Sequence, residues 1–481
     1  MNTTIFLTAL TVYIAALITL SMFVSRRNKS GEDFLLAGRG LPIFLTIGTT
    51  VATMVGTGSS MGAVGFGYAN GWGGTLYGIG GAIGILLLGL WFAPVRALKF
   101  MTMSEEISYY VGANRWVKNI VAVLIFIASI GWLGAHILGG GLYLAWIADI
   151  DLQLAKIIIA ASFAIYVVIG GYNAVVWTDT LQAIILFVGF ILMALFAVDQ
   201  VGGWNTLMNA QPDANVSFLA LESIGLIRGL SLIAVIAVGV LATPSFRQRI
   251  YSAHNTSSVR KSFYTSGTLY LAFSAVPAII GMGAYALNPE LDNRNFAFPY
   301  LAAEVLPLGI GVLVLIAGLS ATMSSASSDA IAGVSILLRD LFSLVTGRMP
   351  ARDKVVGYSR VSLVVVIFIA LTFALLSDDI IGYITTMIAT VMAGLFVCGL
   401  LGRFWQRFNW TGALAALLAA SITSLIIANF YREFWGNPII PAVLVSFIAG
   451  ITVTLLTPPD ALNREQALAQ LEHEREQMES L

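Results

Sequence analysis

Charge is scarce in this sequence. Only 10% of its 481 residues are Asp, Glu, Lys or Arg, where a soluble domain carries roughly 25%. The charges present cancel, 25 basic against 25 acidic, so no nucleic-acid partner is suggested. Cysteine is nearly absent: Cys398 stands alone inside an apolar run, which excludes a disulfide framework. Histidine is rare too, and His136, His254 and His473 lie far apart, two of them in hydrophilic segments. A membrane enzyme would need paired carboxylates, a His cluster or a nucleophile with its base inside the apolar sequence. The chain offers no such set, so it is expected not to be an enzyme.

Hydrocarbon fills the space that charge leaves. The chain is 58% hydrophobic, with a mean hydropathy of +0.88. Apolar runs long enough to span a bilayer occur at about 3–24, 41–67, 72–95, 117–148, 153–175, 177–200, 223–246, 262–287, 302–337, 357–377, 380–402, 411–430 and 437–457. The expected fold is therefore an all-α polytopic membrane protein with about 13 transmembrane helices. The first run lacks a basic start and a clean cleavage site, so it is expected to be retained as a helix.

Basic residues sort the two sides. Arg26, Arg27, Lys29 and Arg39 follow the first span, Arg96 and Lys99 the third, and Arg247, Arg249, Arg260 and Lys261 the seventh. Arg339, Arg348, Arg352 and Lys354 follow the ninth, and Arg403 and Arg407 the eleventh. Even-numbered connections are acidic or neutral, as at Asp149–Asp151, Asp213, Glu290–Asp292 and Ser377–Asp379. The positive-inside rule then predicts a multi-pass plasma-membrane protein with its N-terminus outside and its C-terminus in the cytoplasm. The polar connection from Asp199 to Glu222 is expected over the outer mouth, and the charged tail from Pro458 onward as a solvated cytoplasmic helix.

The stretch from Leu41 to Gly71 stands apart. It is long and apolar enough to span, yet Ala52 to Gly62 reads ATMVGTGSSMG. Loosened backbone survives in a membrane only where protein or a watery cavity surrounds it, and carbonyls freed there can hold a small cation. A Gly/Ser face for close helix packing is the competing reading. A second flaw, Gly239-Val-Leu-Ala-Thr-Pro244, occurs in the helix starting near residue 223, where a plain helix end is equally compatible. Five spans follow from each start. The expected division is 1–40 for the first helix and its loop, 41–200 for repeat 1, 201–222 for an outer loop and 223–402 for repeat 2. Two final helices occupy 403–457 and the tail 458–481. Matching flaws in two halves point to a transporter site.

At residues 170–182, GGYNAVVWTDTLQ resembles the signature of the sodium/solute symporter family. Ala321-Thr-Met-Ser-Ser325, the segment Gly402 to Ala413 (GRFWQRFNWTGA) and Gln248-Arg249 resemble further family motifs in the right order. The resemblance covers about residues 3–457. It implies a leucine-transporter-type fold with two inverted five-helix repeats whose first helices are broken. It also implies a sodium ion held by the carbonyls of Ala52, Val55 and Ala321 and the hydroxyls of Ser324 and Ser325. Taken alone, a Ser pair in an apolar helix would hydrogen-bond to its own or a neighbouring helix. Asp179 belongs to the family-like signature and is assigned to the inner ion exit or to gating; a carboxylate at the cytoplasmic interface is the plain alternative. Asp329, four residues beyond Ser325, is either a further stop for the ion or the partner of a loop Arg.

The implied function is sodium-coupled secondary active import of a small organic solute by alternating access. A proton-coupled or uncoupled carrier on the same fold and a membrane solute sensor are the alternatives. No obligatory protein partner is implied. Candidate solute contacts are Thr53, Met54, Thr57, Ser59, Ser60, Tyr77, Trp132, His136 and Phe246. His136 also suits a hydrogen-bonded core position, and Trp132 plain packing. Residues 52–62 resemble the choline-transporter branch, but Met54 and Ile83 stand where that branch would place aromatics. The sequence leaves the solute open.

Overall fold

The computed structural model describes residues 3–26, 30–348, 350, 354–376, 384 and 386–480. Arg27, Lys29, Arg352 and Ser377–Asp379, which entered the sidedness argument, lie outside the described residues. Among the described residues the regular structure is helical. Among the described residues, nine helices are long and apolar enough to cross a membrane, or ten if the pair Phe218–Ile224 and Leu226–Ala242, bent by 119°, forms one span.

The thirteen expected runs do not each appear as one such helix among the described residues. The first flawed run is two short pieces, Ile43–Met54 and Ala63–Asn70. The runs at 153–175 and 177–200 form one helical stretch, Leu152–Gln200, kinked at Gly171 with φ 60° and ψ −158°. The kink falls in the Gly170-Gly171 pair, the tight Gly-Gly turn that the sequence offers between these two runs. Only glycine takes that backbone conformation without strain, and an added Cβ would sit 2.7 Å from Phe34.

Lipid tails are as apolar as leucine, so helices in a bilayer associate by close packing of small residues. The 47 glycines serve that role at several crossings. A Cβ on Gly281, in Ala275–Leu287, would fall 2.3 Å from the Val64 carbonyl oxygen. One on Gly189 would fall 2.4 Å from Ala317, where Leu152–Gln200 meets Leu308–Ile336.

Both expected flaws are breaks in the structure. The second separates Leu226–Ala242 from Pro244–Ser252 at Thr243, which has the extended values φ −74° and ψ 126°. Pro244 then opens the new helix, where its missing N–H costs nothing. The pieces Ile43–Met54 and Pro244–Ser252 are tied together at one end: Leu41 N–H donates to Ser252 O at 3.2 Å and His254 N–H to Leu41 O at 3.2 Å.

Loops following odd-numbered spans meet at one end. Arg39 donates to Phe100 O at 2.9 Å, Arg96 to Arg39 O at 3.1 Å and Arg403 to Trp91 O at 3.0 Å. The polar connection 199–222 lies at the turn after the first broken helix, with Asn215 Nδ2 3.3 Å from Ala69 O and Trp204 against Trp72. The tail corrects one expectation. Arg464–Ser480 is not a free solvated helix, because Ala467 and Leu471 are buried and Arg475 pairs with Glu105 at 3.2 Å.

Candidate functional site: an oxygen cluster and a buried charge pair at the helix break

The first broken helix leaves helical geometry at Val55, φ −82° and ψ 59°, and resumes through a single π-turn, Gly58–Gly62. Glycine is required where the neighbours close in. A Cβ on Gly56 would meet Ser325 Oγ at 2.5 Å and His136 Cε1 at 2.8 Å; one on Gly58 would meet the Tyr77 hydroxyl at 2.4 Å. A break frees carbonyls, and buried carbonyls need partners. Ser59 donates to Met54 O at 2.6 Å and Ser60 to Gly56 O at 2.6 Å.

Two further partners come from the helix Leu308–Ile336. Ser324 donates to Ala52 O at 2.9 Å, and Ser325 to Thr53 O at 2.9 Å and Ala52 O at 3.4 Å. Both hydroxyls also lie 3.3 Å from Ala321 O. Adjacent residues point some 100° apart on a helix, yet these two rotamers converge on one carbonyl. The result is a buried cluster of two hydroxyls and the carbonyls of Ala52, Thr53 and Ala321, all of oxygen, the donor type a hard cation prefers. Val55 is buried just beyond the helix end, and the hydroxyls reach Thr53 instead. Thr53 is expected from the sequence as a solute contact, and the angle at which the two helices meet also turns its carbonyl to Ser325.

Asp179 is fully buried, not at a solvated interface. Its Oδ2 accepts from Thr49 Oγ1 at 2.6 Å and Ser328 Oγ at 3.0 Å, and lies 3.5 Å from Arg249 Nη2. Arg249 also donates to Ser328 Oγ at 2.7 Å, Thr49 Oγ1 at 2.8 Å and Ser245 O at 2.7 Å, and contacts Thr53 Oγ1. One guanidinium therefore joins both broken helices to the two long ones. A buried charge is tolerated only with such a set of partners. Sequence reasoning had noted Arg249 in a motif but had no means to pair it with Asp179, 70 residues away.

Beside the break lies a cavity of about 30 Å³. Thr53, Met54, Tyr77, Trp132, His136 and Phe246 line it, as the sequence suggested. Thr57 sits behind His136, 3.1 Å from its Nδ1, and Ser60 is turned to the Gly56 carbonyl. Ile83 is 38% exposed and points outward. Thr243, Ser245 and Asp329, not expected from the sequence as solute contacts, also line it. Asp329 pairs with His136 Nε2 at 3.3 Å rather than with a loop Arg. Trp132 stacks on His136 with 16° between the rings. One water occupies at least 10–15 Å³ by this measure and organic ligands fill roughly 300 Å³ or more. The cavity as it stands is too small for an organic solute.

Comparison with known proteins accords with this geometry. The family model described as the sodium:solute symporter family matches residues 34–420. The chain is 26% identical over 458 residues to a sodium/glucose cotransporter of Vibrio parahaemolyticus, covering 85% of this chain and 82% of the relative. It is 24% identical to a sodium/proline symporter of Salmonella typhimurium (92% of each chain) and 22% to a sodium/pantothenate symporter of Escherichia coli (92% and 94%). These relatives are transporters, not enzymes. Among solved structures, a Na+-coupled sialic acid symporter in a substrate-bound, outward-open state superposes with a TM-score of 0.83 at 20% identity, over 95% of this chain and 98% of that one. A nucleobase-cation-symport-1 transporter in a closed conformation gives 0.58 at 14% identity, over 92% and 99%. Both show the fold alone. With the family model spanning most of its length, this multi-pass membrane protein belongs to the sodium:solute symporter family.

Proposed function

We propose that the chain is a sodium-coupled secondary active symporter that imports a small organic solute by alternating access. The observation that carries this reading is the convergence of Ser324 and Ser325 on carbonyls freed by the break at residues 55–57. Sodium binds there, on oxygens of Ala52, Val55, Ala321, Ser324 and Ser325, with Thr53 adjacent. Its charge draws the first broken helix against Leu308–Ile336. The solute lies next to the break, among Met54, Tyr77, Trp132, His136 and Phe246, once the cavity has opened. Asp179 and Arg249 hold the inner halves of both broken helices closed, and their separation opens the inner path. The sodium gradient drives the cycle, each charge moved through 100 mV supplying about 2.3 kcal/mol. The fold neighbours and the two breaks support a division into inverted repeats at 41–200 and 223–402. The meeting of the basic loops at one end supports an outer N-terminus and a cytoplasmic tail.

One observation favours a second reading. His136 Nε2 and Asp329 Oδ2 lie 3.3 Å apart beside the cavity, an imidazole and a carboxylate of the types that carry protons. A proton-linked carrier on the same fold would use it.

Thermal stability of the purified protein tests both readings, measured with a panel of proline, glucose, pantothenate, sialic acid and choline in sodium and in potassium. A ligand that prefers the folded state raises its apparent stability. Stabilisation by one solute only in sodium is expected. Equal stabilisation in both salts would overturn sodium coupling and favour the proton-linked carrier.

A further inference from the structure

The end of the molecule where the basic loops meet holds a second, much larger cavity, of about 800 Å³. Among the described residues its charged lining is Arg39, Lys99, Arg339 and Arg475, against Glu32. These four cations come from four separate segments. Arg39 follows the first helix, Lys99 ends the turn after Thr75–Trp91, Arg339 extends Leu308–Ile336, and Arg475 belongs to the docked tail helix. Glu32 pairs with Arg39 at 2.5 Å and Glu105 with Arg475 at 3.2 Å. Among the described residues at this wall, the four cations outnumber these two carboxylates. Arg475 adds a more pointed observation. Its Nε is on Glu105 and its Nη1 on Lys99 O, while its buried Nη2 has no hydrogen-bond partner. A buried donor without a partner is costly, and here it belongs to a guanidinium at the wall of a basic cavity.

We propose that this cavity is a binding site for a phosphate-bearing anion. Phosphate suits the donors: guanidinium groups bind its oxygens in pairs, and Lys99 supplies a compact point charge. The segments gathered explain why such a site would matter. An anion held between Lys99, Arg339 and Arg475 ties the tail helix to the end of Leu308–Ile336, the helix that carries Ser324 and Ser325. The same chemistry is offered by a phospholipid headgroup of the inner leaflet and by a free phosphate compound. The site is separate from the oxygen cluster, so its test does not depend on the transported solute.

The full-length protein is to be measured in two settings. In detergent, inorganic pyrophosphate is titrated and the melting temperature recorded. In nanodiscs, pure phosphatidylcholine is compared with phosphatidylcholine containing phosphatidylglycerol. The variants are Lys99→Gln with Arg339→Gln, and the charge-preserving Lys99→Arg with Arg339→Lys. The expected result is a rise of several degrees for the wild type and the charge-preserving variant, reduced by more than half in the Gln variant. A rise with pyrophosphate assigns a free anion; a rise with phosphatidylglycerol alone assigns the lipid headgroup. Equal shifts in wild type and Gln variant, or no shift in either setting, overturn the site. Because Arg339 also contacts Met101, Lys99→Gln alone serves if the double variant does not fold. Lys99 is exposed, and its loss should still reduce the shift.

Discussion

At the scale of single residues, the side chains at the break have two tasks that can be separated. Ser324 and Ser325 satisfy carbonyls of Ala52 and Thr53, each bond worth about 1 kcal/mol, and in the proposed reading they also hold sodium. Ser324→Ala or Ser325→Ala should therefore raise the sodium concentration for half-maximal solute stabilisation at least tenfold, while shifting the melting temperature without sodium by only a few degrees. Normal sodium activation in both variants would return the pair to ordinary helix packing. Asp179 and Arg249 behave differently, because each is the other's compensation in a buried place. Removing one partner of such a pair costs about 3–5 kcal/mol, so Asp179→Asn and Arg249→Gln should each destabilise strongly. The double variant should lose clearly less than the sum, since the two sites share one network. Additive losses in chemical denaturation would show that the two side chains act independently.

At the scale of elements, the tail helix and the short helix Met103–Tyr110 form a pair that can be loosened by acid. Burial pushes the Glu105 carboxyl up, but Arg475, Lys118, the Met101 N–H and Arg339 outweigh it, and the group lies below its ordinary value of 4.5. A carboxylate lowered in the docked state stabilises docking above its ordinary value and loses that contribution as pH falls through the lowered one. An environment-sensitive dye on Ala469→Cys should thus report a docked tail at neutral pH and release on acidification below the ordinary carboxylate range. With Glu105→Gln the same dye should report weaker docking at neutral pH and a flatter acid profile. An unchanged profile in that variant would separate the tail from Glu105. The sequence predicted this tail to be solvated because its charges look like those of a free helix. Its docking depends on Ala467 and Leu471 meeting a surface built by residues more than 300 positions earlier.

At the scale of the whole molecule, sidedness is open to a direct measurement. Cys398 is fully buried, so an added thiol can be read without background. Ala469→Cys should react with a membrane-impermeant maleimide only after the cells are permeabilised. Labelling of intact cells would reverse the proposed orientation. Much of this scale was legible in the chain. Low charge and long apolar runs determined a polytopic helical protein, because a bilayer admits few other solutions. The Gly, Ser and Thr of residues 52–62 and the Pro at 244 determined where two helices break, because those residue types weaken a helix wherever they fall. The resemblance grouped Ala52, Val55, Ala321, Ser324 and Ser325 as one ligand set, and the Ser324 and Ser325 hydroxyls lie within hydrogen-bond distance of the Ala52 carbonyl. Tertiary structure alone decided what faces what. Thr53 enters the oxygen cluster, Arg249 pairs with Asp179, Asp329 with His136, and Ile83 turns outward, each through helix crossings and rotations. Local sequence carries the period of a helix but not its rotation about its own axis. That angle is set by glycines packing against distant backbone, and only the assembled bundle contains them both.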